Sequence, residues 1–390
     1  MVVMAHSTYY MAVVPTGQTA TSASRYLGAL AENLGHGVTL FFVISGYCIT
    51  AACDSVRRKP KPASQFFLRR FRRIFPPYWV TLLAYLALFG GAFLLGWNWL
   101  FLDPVPPAVP NPFGLTALQW TGNLTLTEQW RHHLAGSPQL WFTGQAWSLC
   151  YEEQFYIVCG VALFLARRRL FVCLAVITAV VGVIVGVEIL GYHFSSFRGF
   201  FFDGMWLEFA AGVWVYYRLR YVRSRVGRVF DAGLLALVVL GTVAQLKVKS
   251  YYGWGAIIAW AFAALLCFLH RWDVPMARSR ILRPICFCGI MCYSLYLTHW
   301  PFTKALSHLL YLGGIRGAWP TLLVTIPVCV AMAVSLAWCF HCLVERRFLN
   351  TPAIMPHILV AGIDEGSSAP PGSVGAAPTG SPLHCVPEEP

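Results

Sequence analysis

Charge is what this chain has least of. Only 12% of its 390 residues are Asp, Glu, Lys or Arg, while 57% are hydrophobic; a soluble domain carries about a quarter charged residues. So few charges cannot cover a water-facing surface, which excludes a soluble enzyme, a disordered protein and a secreted disulfide scaffold. Acidic side chains are scarcer still, 16 against 29 basic ones, for a net charge of +13. In a soluble protein that imbalance would suggest nucleic acid. In a membrane protein it follows from the basic bias of cytoplasmic loops, so no nucleic-acid partner is expected. No internal repeat is visible and no soluble domain is appended. The 13 cysteines are an odd number, and most lie in apolar runs, as do Cys286, Cys288 and Cys292. Cys339 and Cys342 have CxxC spacing without a second ligand pair, so they read as small hydrophobes and no metal site is expected.

What is present is a series of apolar runs. A spanning helix needs about 20 apolar residues. Uncharged runs of that order cover residues 33–53, 76–97, 250–269, 284–303 and 317–344, and 170–187 is slightly shorter. Three more carry acids: 147–166, 199–217 and 229–246. Residues 1–14 make a short tenth. Of the 29 basic residues, 22 fall in alternate connections, at 54–73, 167–169, 218–228, 270–283 and 346–347. The fold class expected is therefore all-α, a multi-pass plasma (inner) membrane protein of about ten transmembrane helices with both termini cytoplasmic. Residues 1–350 form the membrane domain. Residues 351–390, with eight prolines among Gly, Ser and Ala, read as a disordered cytoplasmic tail. One long outside loop, 98–145, is rich in Pro and Trp, and its His132 and His133 are expected to be solvated.

Ionisable groups inside a membrane are costly and are functional candidates by default. His6, Glu152, Glu153, Glu208 and His299 qualify. Their neighbours form ordered motifs: Gly37-Val38-Thr39-Leu40-Phe41-Phe42-Val43-Ile44-Ser45-Gly46-Tyr47; Phe67-Leu68-Arg69-Arg70-Phe71-Arg72-Arg73-Ile74-Phe75-Pro76-Pro77-Tyr78-Trp79; Trp147-Ser148-Leu149-Cys150-Tyr151-Glu152-Glu153-Gln154-Phe155-Tyr156; Tyr293-Ser294-Leu295-Tyr296-Leu297-Thr298-His299-Trp300-Pro301; and Val344-Glu345-Arg346. Together they resemble the acyltransferase family three membrane O-acyltransferases over about 350 residues. The chain departs from the family at Arg347, where a proline is usual.

The resemblance implies an acyl-CoA donor, most simply acetyl-CoA, on the cytoplasmic side, and a hydroxyl acceptor such as an envelope or extracellular saccharide. No tightly bound cofactor is implied. The family's first helix carries an Arg and, some ten residues on, a His needed for activity. His6 matches that His. The Arg has no counterpart, and residues 1–14 are about 21 Å of helix at 1.5 Å per residue, short of a hydrocarbon core of about 30 Å. Both features lead to the expectation that the natural protein begins upstream of Met1.

Acyl transfer from a thioester to a hydroxyl needs a base or an acyl-holding nucleophile, a stabilised oxyanion and a cationic cradle for the CoA phosphates. His6 is the expected base or acyl carrier. Glu152 is expected either to orient that imidazole or to serve as a buried structural acid. His299 is expected to contact substrate or to pack. Rises of 1.5 Å per residue put all three in one layer near the midplane. Arg70 and Arg73 are expected at the cytoplasmic mouth, where Arg forks bind phosphate; Arg57, Arg58 and Lys59 read as general positive-inside charge. Ser45 and Gly46 read as a close helix approach rather than a nucleophile. Two rivals remain: a proton-coupled secondary transporter, for which inverted repeats and broken helices are lacking, and an inactive acyltransferase-like protein.

Overall fold

The computed structural model describes residues 1–10, 22–97, 111–136, 138–189, 199, 204–222, 224–248 and 253–349. Among these, regular structure is helical, with no strand. In chain order the helices are α1 Val2–His6, α2 Ser22–Leu34, α3 Gly37–Val56, α4 Pro62–Leu94, α5 Ala117–Thr125, α6 Glu128–Ala135, α7 Ala146–Ala166 and α8 Leu170–Ile189. They continue as α9 Met205–Tyr221, α10 Ser224–Val248, α11 Gly253–Leu269, α12 Asp273–Arg278, α13 Arg283–Ile290, α14 Cys292–Leu312, α15 Ala318–Pro320 and α16 Ile326–Leu343. The tail expected over 351–390 lies outside the described residues.

Five stretches among the described residues are long and apolar enough to cross a membrane: Gly37–Val56, Pro62–Leu94, Ala146–Glu188, Trp254–Arg278 and Ala318–Arg347. The third contains two helices, α7 of 21 residues and α8 of 20, separated by a 3-10 turn at Arg167–Arg169. Each is about 30 Å long at 1.5 Å per residue. The run 284–303 is not one helix: it breaks at Met291 between α13 and α14, and α14 continues to Leu312 with Lys304 buried inside it. The run 229–246 lies in α10, of which only Val229–Leu240 is a shorter apolar helix.

Small residues set the tightest crossing. A Cβ on Gly46 would strike the Phe209 carbonyl, and one on Gly212 would strike the Val43 carbonyl, so α3 and α9 meet backbone to backbone. This is the close approach that small residues permit in a bundle without a hydrophobic driving force between helices. Phe42, Phe155, Trp206 and Phe209 fill the core around that crossing.

The loop expected outside folds inward. Thr116 and Gln119 form a reciprocal capping box that starts α5. Arg131 Nε and Nη2 donate to Glu128 Oε2 and Oε1 at 2.6 and 2.8 Å in a buried bidentate pair, and the Leu140 N–H donates to the same carboxylate at 2.8 Å. The Asn123 side chain donates to the Leu140 carbonyl and accepts from the Phe142 N–H, while the Tyr78 hydroxyl of α4 donates to the Asn123 carbonyl at 2.7 Å. His132 and His133 are half-buried with their rings 3.9 Å apart, so they are not simply solvated. The loop hands the chain to α7 beside the first third of α14, where the Gln145 amide donates to the Leu297 carbonyl at 3.0 Å.

Candidate functional site

The acceptor for that amide exists because of a proline. The carbonyl of Leu297 would normally accept from the N–H four residues on, but that residue is Pro301, which has none. The freed oxygen takes the Tyr85 hydroxyl of α4 at 2.7 Å as well as the Gln145 amide. Three elements therefore converge on one carbonyl. One residue toward the N-terminus of α14, the Tyr296 hydroxyl donates to the Gln145 carbonyl at 2.5 Å, and Ser148 donates to Tyr296 at 3.2 Å. At the start of α14, Ser294 donates to Glu345 at 2.5 Å and His341 bonds the same carboxylate at 2.9 Å, so the Val344-Glu345-Arg346 motif anchors α14 to the end of α16.

On this braced helix His299 is 3% exposed. Its Nδ1 lies 2.9 Å from the carbonyls of Leu295 and Tyr296. Carbonyls only accept, so Nδ1 carries the proton, and in the neutral ring Nε2 is bare. That bare nitrogen faces Nδ1 of His6 at 3.1 Å. The rings are within 5° of parallel with centroids 5.1 Å apart, so they meet edge to edge through these nitrogens. The His6 Nδ1–H therefore donates to His299, and the neutral His6 ring keeps its lone pair on Nε2, for which no hydrogen-bond partner is found among the described residues. Tyr9 stacks on His6 at 5.4 Å, and the Trp300 indole N–H donates to its hydroxyl at 3.3 Å. Both histidines border a half-open cavity of about 640 Å³ lined by residues of α1, α2, α3, α14 and the start of α7.

The structure thus brings together His6 and His299 and separates Glu152 from them. Glu152 Oε1 accepts from Ser45 and from Tyr156, both at 2.6 Å, and no hydrogen bond or ion pair joins it to His6. The single-layer estimate took Trp147 as the membrane edge. In the structure α7 starts level with Leu297, inside the bundle, because the inward-folded loop delivers it there. Glu152, a turn and more further along α7, meets Ser45 and Tyr156 instead.

Arg70 is half-buried and has partners within the protein. Its guanidinium lies 5.3 Å from the Tyr156 ring and donates to the Cys48 carbonyl at 3.4 Å, within the field of Glu152. Cys48 is eight residues before the end of α3, about 12 Å inside it. Ser45, Glu152, Tyr156 and Arg70 form one polar cluster, so Ser45 has an acid partner that its sequence context did not indicate. Arg73 is exposed and has no hydrogen bond or ion pair among the described residues. Arg57 is engaged, paired with Asp54 and donating to Tyr221 at 2.9 Å. Reading the sequence missed Tyr9, Gln145 and Lys304. The signal for Lys304 was an ionisable residue five positions past His299, with its amine now 5.9 Å from the Tyr9 ring.

The fold and the site define a membrane-embedded helical protein with a hydrogen-bonded imidazole pair at a half-open cavity. Residues 1–342 match the model of the acyltransferase domain family, and the chain belongs to that family. It is 27% identical over 329 residues to "Putative membrane-bound transacylase BcsY" of Komagataeibacter xylinus, an alignment covering 80% of this chain and 76% of the relative. No solved structure matches the chain. The protein is a membrane acyltransferase.

Proposed function

We propose that the protein moves an acyl group from acyl-CoA to a hydroxyl of an envelope or extracellular saccharide or a similar acceptor. It acts as a multi-pass enzyme of the plasma (inner) membrane, with ten spans, both termini cytoplasmic and the donor entering at the basic end. The observation that carries this reading is the 3.1 Å contact between His6 Nδ1 and His299 Nε2. It leaves His6 Nε2 as a base on a cavity wall. The acceptor hydroxyl attacks the thioester carbonyl as its proton passes to His6 Nε2. The tetrahedral intermediate then collapses, the C–S bond breaks, and Nε2 returns the proton to the departing thiolate. While His6 is protonated its Nδ1–H bond to His299 becomes charge-assisted and stronger, so His299 stabilises the transition state more than the ground state. His299 is a positioning residue in this scheme, and an acyl-His6 intermediate would use the same free nitrogen.

Arg73 supplies the exposed cation for CoA phosphate. Arg70, neutralised in part by Glu152, extends the cradle inward. Glu152 supports that cradle rather than the imidazole. The test uses the purified full chain in lipid nanodiscs with acyl-CoA and an envelope saccharide fraction, with CoA release and acylated product followed by mass spectrometry. Acyl transfer by the wild type and its loss in His6→Ala, at unchanged expression, are expected. Near-wild-type turnover of His6→Ala, or solute flux in proteoliposomes without acyl transfer, would overturn the reading.

A further inference from the structure

We propose that Tyr9 is a second catalytic residue of the acyl transfer, the hydroxyl that donates to the oxyanion formed when the acceptor attacks the thioester carbonyl. This rests on the acyl-CoA reading above, with His6 as the base. Placement is the first reason. Tyr9 and His6 both line the half-open cavity, and their rings stack within 14° of parallel with centroids 5.4 Å apart. A base stands about 2.6–3.2 Å from the attacking hydroxyl, and an oxyanion donor about 2.7–3.1 Å from the charged oxygen. The two oxygens of one tetrahedral carbon lie between them, so base and donor serve one centre when roughly 5–8 Å apart. Stacked rings at the observed separation allow that span.

The state of the hydroxyl is the second reason. The hydroxyl-bearing side chains that line the cavity are Thr8, Tyr9, Ser148 and Tyr296. Thr8 donates to the Ala5 carbonyl, Ser148 to the Gln145 carbonyl or to Tyr296, and Tyr296 to the Gln145 carbonyl. Tyr9 differs. Its oxygen accepts from the Trp300 indole N–H at 3.3 Å, and its proton has no acceptor among the described residues. A phenol that accepts one bond donates the next more strongly, because hydrogen bonds in a chain polarise one another. Trp300 is buried on the braced helix α14, so the chain from indole to phenol is set before substrate arrives. Such preorganised donors are what a developing charge needs. The buried ammonium of Lys304, 5.9 Å from the Tyr9 ring, adds positive potential to the site.

In the step itself the acceptor oxygen bonds the carbonyl carbon, its proton goes to His6 Nε2, and the carbonyl π pair moves onto oxygen. Tyr9 donates to that oxygen without losing its own proton. The pair returns to the carbonyl as the C–S bond breaks, and the Tyr9 bond weakens again. Tyr9 therefore stabilises the intermediate more than it does the thioester or the ester. The cavity also offers the Met1 amine and the uncapped N–H groups that open α1, which would hold the oxyanion whatever residue stood at position 9. The test compares the acyl-CoA that the wild type uses best, from acetyl to octanoyl, with its dithioester analogue, in which sulfur replaces the carbonyl oxygen. Both are given to the full chain in nanodiscs with the envelope saccharide fraction, and CoA release is followed. Sulfur is a weak hydrogen-bond acceptor, so charge developing on it gains little from a phenol. Tyr9→Phe keeps the ring on His6 and removes the donor. Its rate with the thioester should fall about a hundred- to a thousandfold, while its rate with the dithioester stays within about threefold of the wild type. Tyr296→Phe loses a phenol whose proton is already engaged and should leave the oxygen-over-sulfur ratio as it is. An unchanged ratio in Tyr9→Phe, which would assign the oxyanion to the amine or the α1 N–H groups, would overturn the inference alone. So would a Tyr9→Phe variant inert toward both donors, or the same shift of ratio in Tyr296→Phe. Absence of transfer by the wild type from every acyl-CoA would overturn the acyl-CoA reading and this inference with it.

Discussion

Replacing His299 separates a positioning role from a packing one. Its Nε2 accepts from His6 Nδ1 at 3.1 Å while its Nδ1–H is held by two carbonyls of its own helix. His299→Leu keeps much of the volume and removes the acceptor, which leaves a largely buried N–H on His6 without a partner, at a cost of about 1–3 kcal/mol. If that penalty falls on the protonated state, kcat drops roughly five- to a hundredfold, while the KM for acyl-CoA changes little because no donor phosphate is near. The amide of Gln reaches about as far as Nε2 of His, and that of Asn only about as far as Nδ1. His299→Gln should therefore offer His6 a carbonyl oxygen and recover most of the lost kcat, whereas His299→Asn should bond its own helix and recover none. Initial rates of CoA release at saturating acyl-CoA, by chromatography to avoid the protein's own thiols, give the comparison. Equal rates for the Gln and Asn variants, or a wild-type kcat in His299→Leu, would refute the argument that His299 acts through His6.

Three further outcomes follow from the same geometry. Arg73→Gln should weaken acyl-CoA binding by roughly ten- to a hundredfold, the loss of about 1.5–3 kcal/mol for a charge-assisted bond, and Arg57→Gln, whose native partners are Asp54 and Tyr221, should not; equal losses on titration would mean that bulk charge is sensed. Gly212→Val drives a side chain into the Val43 carbonyl and should lower the thermal midpoint of the detergent-solubilised protein far more than Gly182→Val, at a glycine with open space around it; similar midpoints would contradict the backbone contact of α3 with α9. Burial, and then the charges of His133 and Arg131, hold His132 below the ordinary histidine value of 6.5. The unfolded loop takes up the proton first, so this contribution to stability is present above that value and lost as the pH falls below it. Proteolysis within residues 111–136 should accelerate from about pH 7.5 to about pH 5.5 and less so in His132→Phe; protection on acidification would reverse the sign.

The sequence by itself determined the solvent, the class and the chemistry. Too little charge for a water-facing surface, and apolar runs near membrane length, are properties of composition that no packing can alter. The five motifs carry residue types whose spacing survives in the structure, and His6 and His299 were legible because an imidazole in an apolar helix is costly wherever it lies. Pro301 carried a signal that went unread, since a missing N–H frees a carbonyl in any helix. What only the tertiary structure decided was which groups meet. Helix rise locates a residue along its own axis, but it says nothing of where that axis starts. α7 starts beside Leu297 because the buried Glu128–Arg131 pair and Asn123 draw the loop inward, and neighbouring chemistry did not reveal that pull. For that reason Glu152 went to Ser45, Tyr156 and Arg70 rather than to His6. The proton on His6 Nδ1, and so the free Nε2, likewise depends on the contact of α1 with His299 on α14, which sequence spacing does not encode.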